Sequence, residues 1–132
     1  MTERKDTTRR SRRRSESGQV AIEYLGFIPL LLIVGLLAIQ LGIAAYAANQ
    51  AGTAARVAAR TASQDALDQE LDPEPAGHAA ISNWLSDDLK FDPPGVNARD
   101  VTYTARIKVP SVIPGMEGRW GEATRSSTMP LD

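Results

Sequence analysis

The sequence contains no cysteine, which excludes a disulfide framework, a thiol nucleophile and any thiolate metal site. Its one histidine, His78, excludes a multi-histidine metal centre. Formal charge is missing from Leu25 through Ala48, a stretch of 24 residues in which Gln40 is the only strongly polar side chain. Aliphatic side chains are missing from the start. After Met1, MTERKDTTRRSRRRSESG offers nothing to bury and is expected to be disordered. With 132 residues in all, the chain has room for one small domain at most.

What is present is arranged vectorially. Residues 1–18 carry seven basic side chains against three acids, a net of +4. Residues 19–132 carry eight basic and thirteen acidic residues, a net of -5. The apolar block between them would form a helix roughly 36 Å long, enough to cross a hydrocarbon core of about 30 Å. A chain this small cannot surround such a block, so a transmembrane helix over residues 19–48 is expected. Seven Lys or Arg residues precede it, and only Arg56 and Arg60 follow within twenty residues. The positive-inside bias then keeps the N-terminus in the cytoplasm and sends the rest outside.

Beyond the span, Ala44–Ala62 holds ten alanines and no proline, so helix should continue through an Ala-rich extension over 49–70. Small residues recur at Ala44, Ala48, Gly52 and at Ala47, Ala51, Ala55, Ala59, a spacing that lets a second helix approach closely. Leu71-Asp72-Pro73-Glu74-Pro75-Ala76-Gly77 should end the long helix. A short helix is expected from His78 to Leu89, with Ile81, Trp84, Leu85 and Leu89 on one face. Val101–Val109 alternates as a half-buried strand does, and Gly118–Met129 is its candidate partner. The expected fold is α+β. A long N-terminal transmembrane helix continues outward into a small helix-plus-strand extracytoplasmic region over 71–132, behind a basic leader at 1–18.

The chemistry concentrates where leader meets helix, at Ser17-Gly18-Gln19-Val20-Ala21-Ile22-Glu23-Tyr24. An ionised carboxylate at mid-bilayer costs about 3 kcal/mol. Near the interface the helix N-terminus offsets part of that cost, so Glu23 could simply be an interfacial acid. A second reading explains the spacing. A cut after Gly18 would make Gln19 a new N-terminus whose amine, of pKa about 8, is largely protonated at neutral pH. Glu23, four residues on, shares its helix face. The acid gains a cationic partner, on its own or a neighbouring subunit, only after cleavage.

A basic leader, Gly18 at the cut, Glu23 and Tyr24 at the fifth and sixth mature positions and an apolar helix resemble class-III type IV prepilin signals. GQVAIEYLGFIPLLL, Gln40-Leu41-Gly42 and Ala55-Arg56-Val57-Ala58-Ala59-Arg60 together look like the TadE-like pilus assembly proteins, across roughly residues 16–62. The Glu-Tyr pair is shared with Flp-type major pilins, but an outer region of 84 residues favours the TadE-like branch. The resemblance implies a minor pilin or pseudopilin of a tight-adherence system, cut by a prepilin peptidase between Gly18 and Gln19. Glu23 and Tyr24 would serve recognition and assembly, and Pro29 would kink the span. The implied partners are the membrane, the peptidase, other pilin-like subunits and the Tad assembly machinery. No cofactor, metal, nucleic acid or small-molecule substrate is implied.

Other readings fit less of the chain. Ala45-Tyr46-Ala47 matches a signal-peptidase pattern, but the apolar run ahead of it is too long and contains Glu23 near its start. The arginine pairs lack the hydrophobic residues of a twin-arginine signal. The leader has no aromatic residue to support nucleic-acid binding. His78 with Asp72 or Glu74 and Ser82 lies within eleven residues in a proline-rich turn, so no catalytic residue is expected. Asp65, Asp68, Glu70, Asp72 and Glu74 lack EF-hand spacing. The alternative of a different class is a non-polymerising single-span anchor whose outer domain binds a partner.

Overall fold

A computed structural model describes the backbone of residues 8–65 and 71–131, and side chains from 18–64 and 71–131. Helix α1 runs Thr8–Asp65, α2 Pro73–Ala79 and α3 Asn83–Ser86; strands are β1 Leu89–Phe91, β2 Gly95–Val96, β3 Asp100–Lys108 and β4 Glu122–Pro130. The fold is α+β, a long apolar N-terminal helix followed by short helices and a four-stranded sheet. Residues 1–7 of the leader and 66–70 of the Ala-rich extension lie outside the described residues. The part of the leader from Thr8 on is helical, contrary to the expectation of disorder. Arginine is a good helix former, and propagating a helix already nucleated costs far less than starting one.

The chain divides between Ala38 and Ile39 into two compact units. In the first, the apolar side chains from Val20 to Leu37 stand uncovered, Leu25 at 72% exposure and Ile28 at 50%. A helix apolar all round with no protein against it suits lipid. It is long and apolar enough to cross a membrane.

The second unit is built on β3. Val101, Tyr103, Ala105 and Ile107 alternate inward on this strand, where β-branched and aromatic side chains fit a pleated surface. All β3 pairings are antiparallel. β4 runs along one side from Asp100↔Pro130 to Lys108↔Glu122. β1 and β2 share the other side, at Ile107 to Ala105 and at Thr102 to Val101. The outer face is polar and tied across strands by Thr102–Thr128 at 2.7 Å and Thr104–Ser126 at 2.8 Å. Arg106 there is bound by Asp92 at 2.8 Å, with Glu122 at 3.9 Å. Its hydrogen bond to Asp92, then the charges of Asp92 and Glu122, hold its guanidinium pKa above the usual value. In the 109–121 connection, Met116 N–H bonds Ile113 C=O across Pro114-Gly115, with Gly115 at φ 79°. Proline followed by a positive-φ glycine is the type II turn signature.

The inner face lies on the second-unit part of α1. Ala47, Ala51, Ala54, Ala55, Ala58 and Ala59 are fully buried. They pack with Ile81, Leu85, Leu89, Ala105, Ile107 and Val109 at one end and with Val101 and Tyr103 at the other. This corrects the expectation that alanine spacing serves a second helix. The 47/51/55/59 stripe is covered by the chain's own sheet, because methyl side chains let the sheet backbone come close. Gly77 is the tightest such approach. A Cβ there would lie 2.5 Å from Phe91 Cζ and 3.1 Å from the Ala54 carbonyl oxygen.

The single helix expected over His78–Leu89 is two. α2 starts with Pro73 in its first turn, capped by the Asp72 side chain accepting from Glu74 N–H. α3 is one turn, and Leu89 has already entered β1. Ile81 and Leu85 are buried as expected, but Trp84 is 54% exposed and stacks on Tyr46 at 5.8 Å. The break falls at Ser82. Its backbone N–H donates to Gln50 Oε1 and its hydroxyl lies 2.6 Å from the Tyr46 hydroxyl, so α1 captures both polar groups.

Candidate assembly site

Gly18, Gln19, Glu23 and Tyr24 all lie inside α1 and are exposed. Glycine is the weakest helix former after proline, by about 1 kcal/mol against alanine, so Gly18 is a soft point in the helix. Nothing lies within 4 Å of where a Cβ on Gly18 would stand, so the backbone there is open to an approaching protein. Helix geometry puts Glu23 one turn beyond Gln19 on the same face. Glu23 forms no ion pair with any described residue. Tyr24, at 67% exposure, lies in the exposed apolar surface that starts at Val20. Pro29 lies within the same helix, with no N–H for the Leu25 carbonyl.

Sequence reasoning missed the role of Gln40. It is fully buried in the second unit. Its Nε2 donates to Pro110 C=O at 2.9 Å, and its Oε1 accepts from Val112 N–H at 2.9 Å. Both ends of one amide therefore hold the chain leaving β3 against α1. The lone polar residue of the apolar run was the available signal, though its partners 70 and 72 positions away were not readable. Ile43 and Ala44 also pack on the core. One face of the helix is therefore covered by protein from Gln40 on, while Ile39 and Leu41 on the other side remain exposed.

The rejected chemistry can also be located. His78 Nδ1 faces Ser86, 3.1 Å from its carbonyl oxygen and 3.2 Å from its hydroxyl, and its ring meets Phe91 edge-on. Ser82 is engaged by Tyr46 instead. Among the described residues, no three His, Asp or Glu side chains gather to hold a metal ion.

One helix fit to cross a membrane, carried into a small α+β unit, is the architecture of a single-pass membrane protein. Residues 18–60 match the TadE family, described as TadE-like protein. The chain is similar to that family over this segment, about a third of its length, which begins at Gly18 and includes the exposed apolar helix, Gln40 and the buried alanine stripe. That match supports a protein associated with the Tad pilus. No curated protein and no solved structure matches the chain.

Proposed function

We propose that the chain is a minor pilin or pseudopilin of a Tad/Flp-type pilus or related secretion apparatus. It is made as a precursor with its N-terminus in the cytoplasm. A prepilin peptidase cuts between Gly18 and Gln19, and the subunit then assembles with other pilin-like subunits and the Tad machinery through its apolar helix.

The observation that carries this reading is the exposed Gly18–Glu23 turn directly ahead of an apolar helix surface that is exposed among the described residues. Removing the leader takes away its net +4 and leaves a single amine one helical turn from Glu23. Glu23, which has no ion pair among the described residues, then becomes half of one, which lowers the cost of holding it at the edge of lipid. Pro29 gives the helix a place to bend when subunits pack.

Intact-mass and N-terminal analysis of the protein from membranes of its native host tests this. A chain starting at Gln19, with full-length precursor accumulating in Gly18→Ala and Glu23→Ala, is the expected result. Retention of Met1 in the wild type would overturn processing and leave a membrane anchor presenting its outer unit to a partner.

A further inference from the structure

β3 runs against α1. Its early residues Val101 and Tyr103 cluster with Ala58 and Ala59, and its later Ala105 and Ile107 with Ala47 and Ala51. The chain leaving β3 is therefore carried back toward the start of the second unit. Gln40 holds it there, through the Pro110 carbonyl and the Val112 amide, each at 2.9 Å. Gln40 stands two positions after Ala38, the last residue of the first unit. Two residues span at most about 7 Å of chain, so the Pro110–Val112 corner is pinned beside the place where the apolar helix would leave a bilayer.

The loop that starts at this corner is apolar. From Val109 to Met116 no residue carries a charge. Val112 and Pro114 are exposed, and Ile113 and Met116 are half-buried. The backbone donors of the loop are satisfied from within the chain. Val112 N–H bonds Gln40, and Ile113 N–H the Ser111 hydroxyl at 3.2 Å. Gly115 N–H bonds the Glu117 carboxylate at 3.1 Å, and Met116 N–H the Ile113 carbonyl at 3.2 Å. Pro114, between them, has no N–H. Both ends of the loop are fastened as well, since Val109 N–H bonds the Gly121 carbonyl at 3.1 Å and Trp120 packs on the core. A turn that faced only water would need none of these donor bonds, because water would serve instead. At the edge of a bilayer an unpaired N–H is costly, and a backbone closed on itself can enter.

We propose that residues 112–116 form a second membrane contact, their apolar tip seated in the lipid interface beside the emerging helix. The occupant is the hydrocarbon boundary of the leaflet from which α1 emerges. Ile39 and Leu41, exposed on either side of Gln40 in the sequence, carry the apolar surface of the span up to this level. The segment has no charge, and the two that follow it, Glu117 and Arg119, are opposite in sign. The contact therefore depends on apolar depth and not on headgroup charge. Span and loop together fix the folded unit at two points, so it cannot swivel freely about the helix. The inference rests on a span that ends near Ala38 and goes beyond the assembly reading, whose cleavage step it does not require.

The test uses the full-length, unprocessed chain in phosphatidylcholine vesicles. The chain has no cysteine, so Leu36→Cys, Val96→Cys, Val112→Cys and Pro114→Cys each place one environment-sensitive fluorophore. Val96 is the control. It is more exposed than Val112, at 63%, and its strand pairs with the opposite end of β3. Emission at Val112 and Pro114 is expected to shift to the blue and to be quenched, as at Leu36, by lipid carrying a nitroxide near the top of its acyl chains. Emission at Val96 should do neither. Adding Val112→Asp to the Pro114→Cys chain should bring quenching down to the Val96 level, with circular dichroism checking that the variant folds. Quenching at Leu36 but at neither loop position overturns the proposal and leaves the span standing, and quenching at none of the three overturns both. A blue shift that nitroxide lipid does not quench overturns it in favour of cover by protein. Quenching that survives Val112→Asp, or that requires anionic lipid, refutes an apolar contact. None of these results depends on cleavage at Gly18, so this inference and the processing can fail separately.

Discussion

Gln40→Leu removes the most consequential polar contact in the second unit while keeping a good helix former of similar size. It deletes the donor to Pro110 C=O and the acceptor from Val112 N–H, each 2.9 Å from the buried amide. Leaving a buried backbone group unpaired costs about 1–3 kcal/mol. Two such groups set a loss of at most about 2–6 kcal/mol, lowered because both bonds are only part-buried and Val112 is 39% exposed. A unit of this size has about 5–14 kcal/mol of stability in all. The loss is read as the denaturation midpoint in detergent, followed by fluorescence of Trp84 and Trp120, and as faster proteolysis between Val109 and Gly121. Gln40→Glu adds a signed control. A buried carboxylate has its folded pKa raised above the unfolded value near 4.3. Its neutral form can still donate to Pro110 C=O, so this variant should be most stable at acid pH and lose stability as pH rises through the raised pKa. Gln40→Leu should show no added pH dependence relative to wild type. A Gln40→Leu midpoint within about 0.5 kcal/mol of wild type, the range of an indifferent surface change, would refute the claim that Gln40 holds this unit together.

Leu85→Ala should cost about 2–5 kcal/mol in the same titration, since Leu85 is fully buried between the alanine stripe and Ile107. Gly77→Ala should destabilise by about 1–3 kcal/mol through overpacking, because the new methyl would meet Phe91 at 2.5 Å and the Ala54 carbonyl at 3.1 Å. Ala51→Leu should cost a comparable amount by pushing the sheet off α1, where Ala51 has no exposed surface. A rise in oligomerisation without loss of stability would mean instead that this face meets another helix.

The long helix, the α+β class and the central strand are legible in the sequence because each rests on a local pattern. Twenty-four uncharged residues favour the helix, and Val101, Tyr103, Ala105 and Ile107 alternate through β3, with Val109 just beyond it. β1 and β2 escape such reading. They are three and two residues long, held by pairing to β3 with too little pattern of their own. The split of the His78–Leu89 segment depends on Gln50 and Tyr46 reaching it from 32 and 36 positions away. Alanine spacing was the most ambiguous signal. Small residues every fourth position announce that some backbone comes close, and do not say whether it is a helix of another chain or a sheet of the same one. At the junction, Gly18 and Glu23 stand out through their spacing together with the basic leader and the apolar run, whereas the polar ties of Gln40 exist only in the folded chain.

The burial of Gln40 also changes where lipid can begin. Hydropathy runs on to Ala48, because alanine counts as apolar whether it faces acyl chains or a protein. Gln40, Ile43, Ala44 and Ala47 are covered by protein on one face of the helix while Ile39 and Leu41 stay exposed, and we predict that the span ends where that covering begins. Gln19–Ala38 alone is about 30 Å of helix, one hydrocarbon core without surplus, and it puts Glu23 near one interface and Gln40 near the other. A cysteine-free chain makes this measurable. In membrane vesicles, single cysteines at Leu32 and Leu36 should resist an aqueous maleimide, while those at Gly42 and Ala45, exposed on the second unit, should react. Protection continuing through Ala45 would restore the longer span and place the folded unit's end within the bilayer. Reaction beginning after Ala38 fixes Glu23 in the first turns of a minimal span, where an N-terminal amine at Gln19 would be the nearest charge able to pair with it.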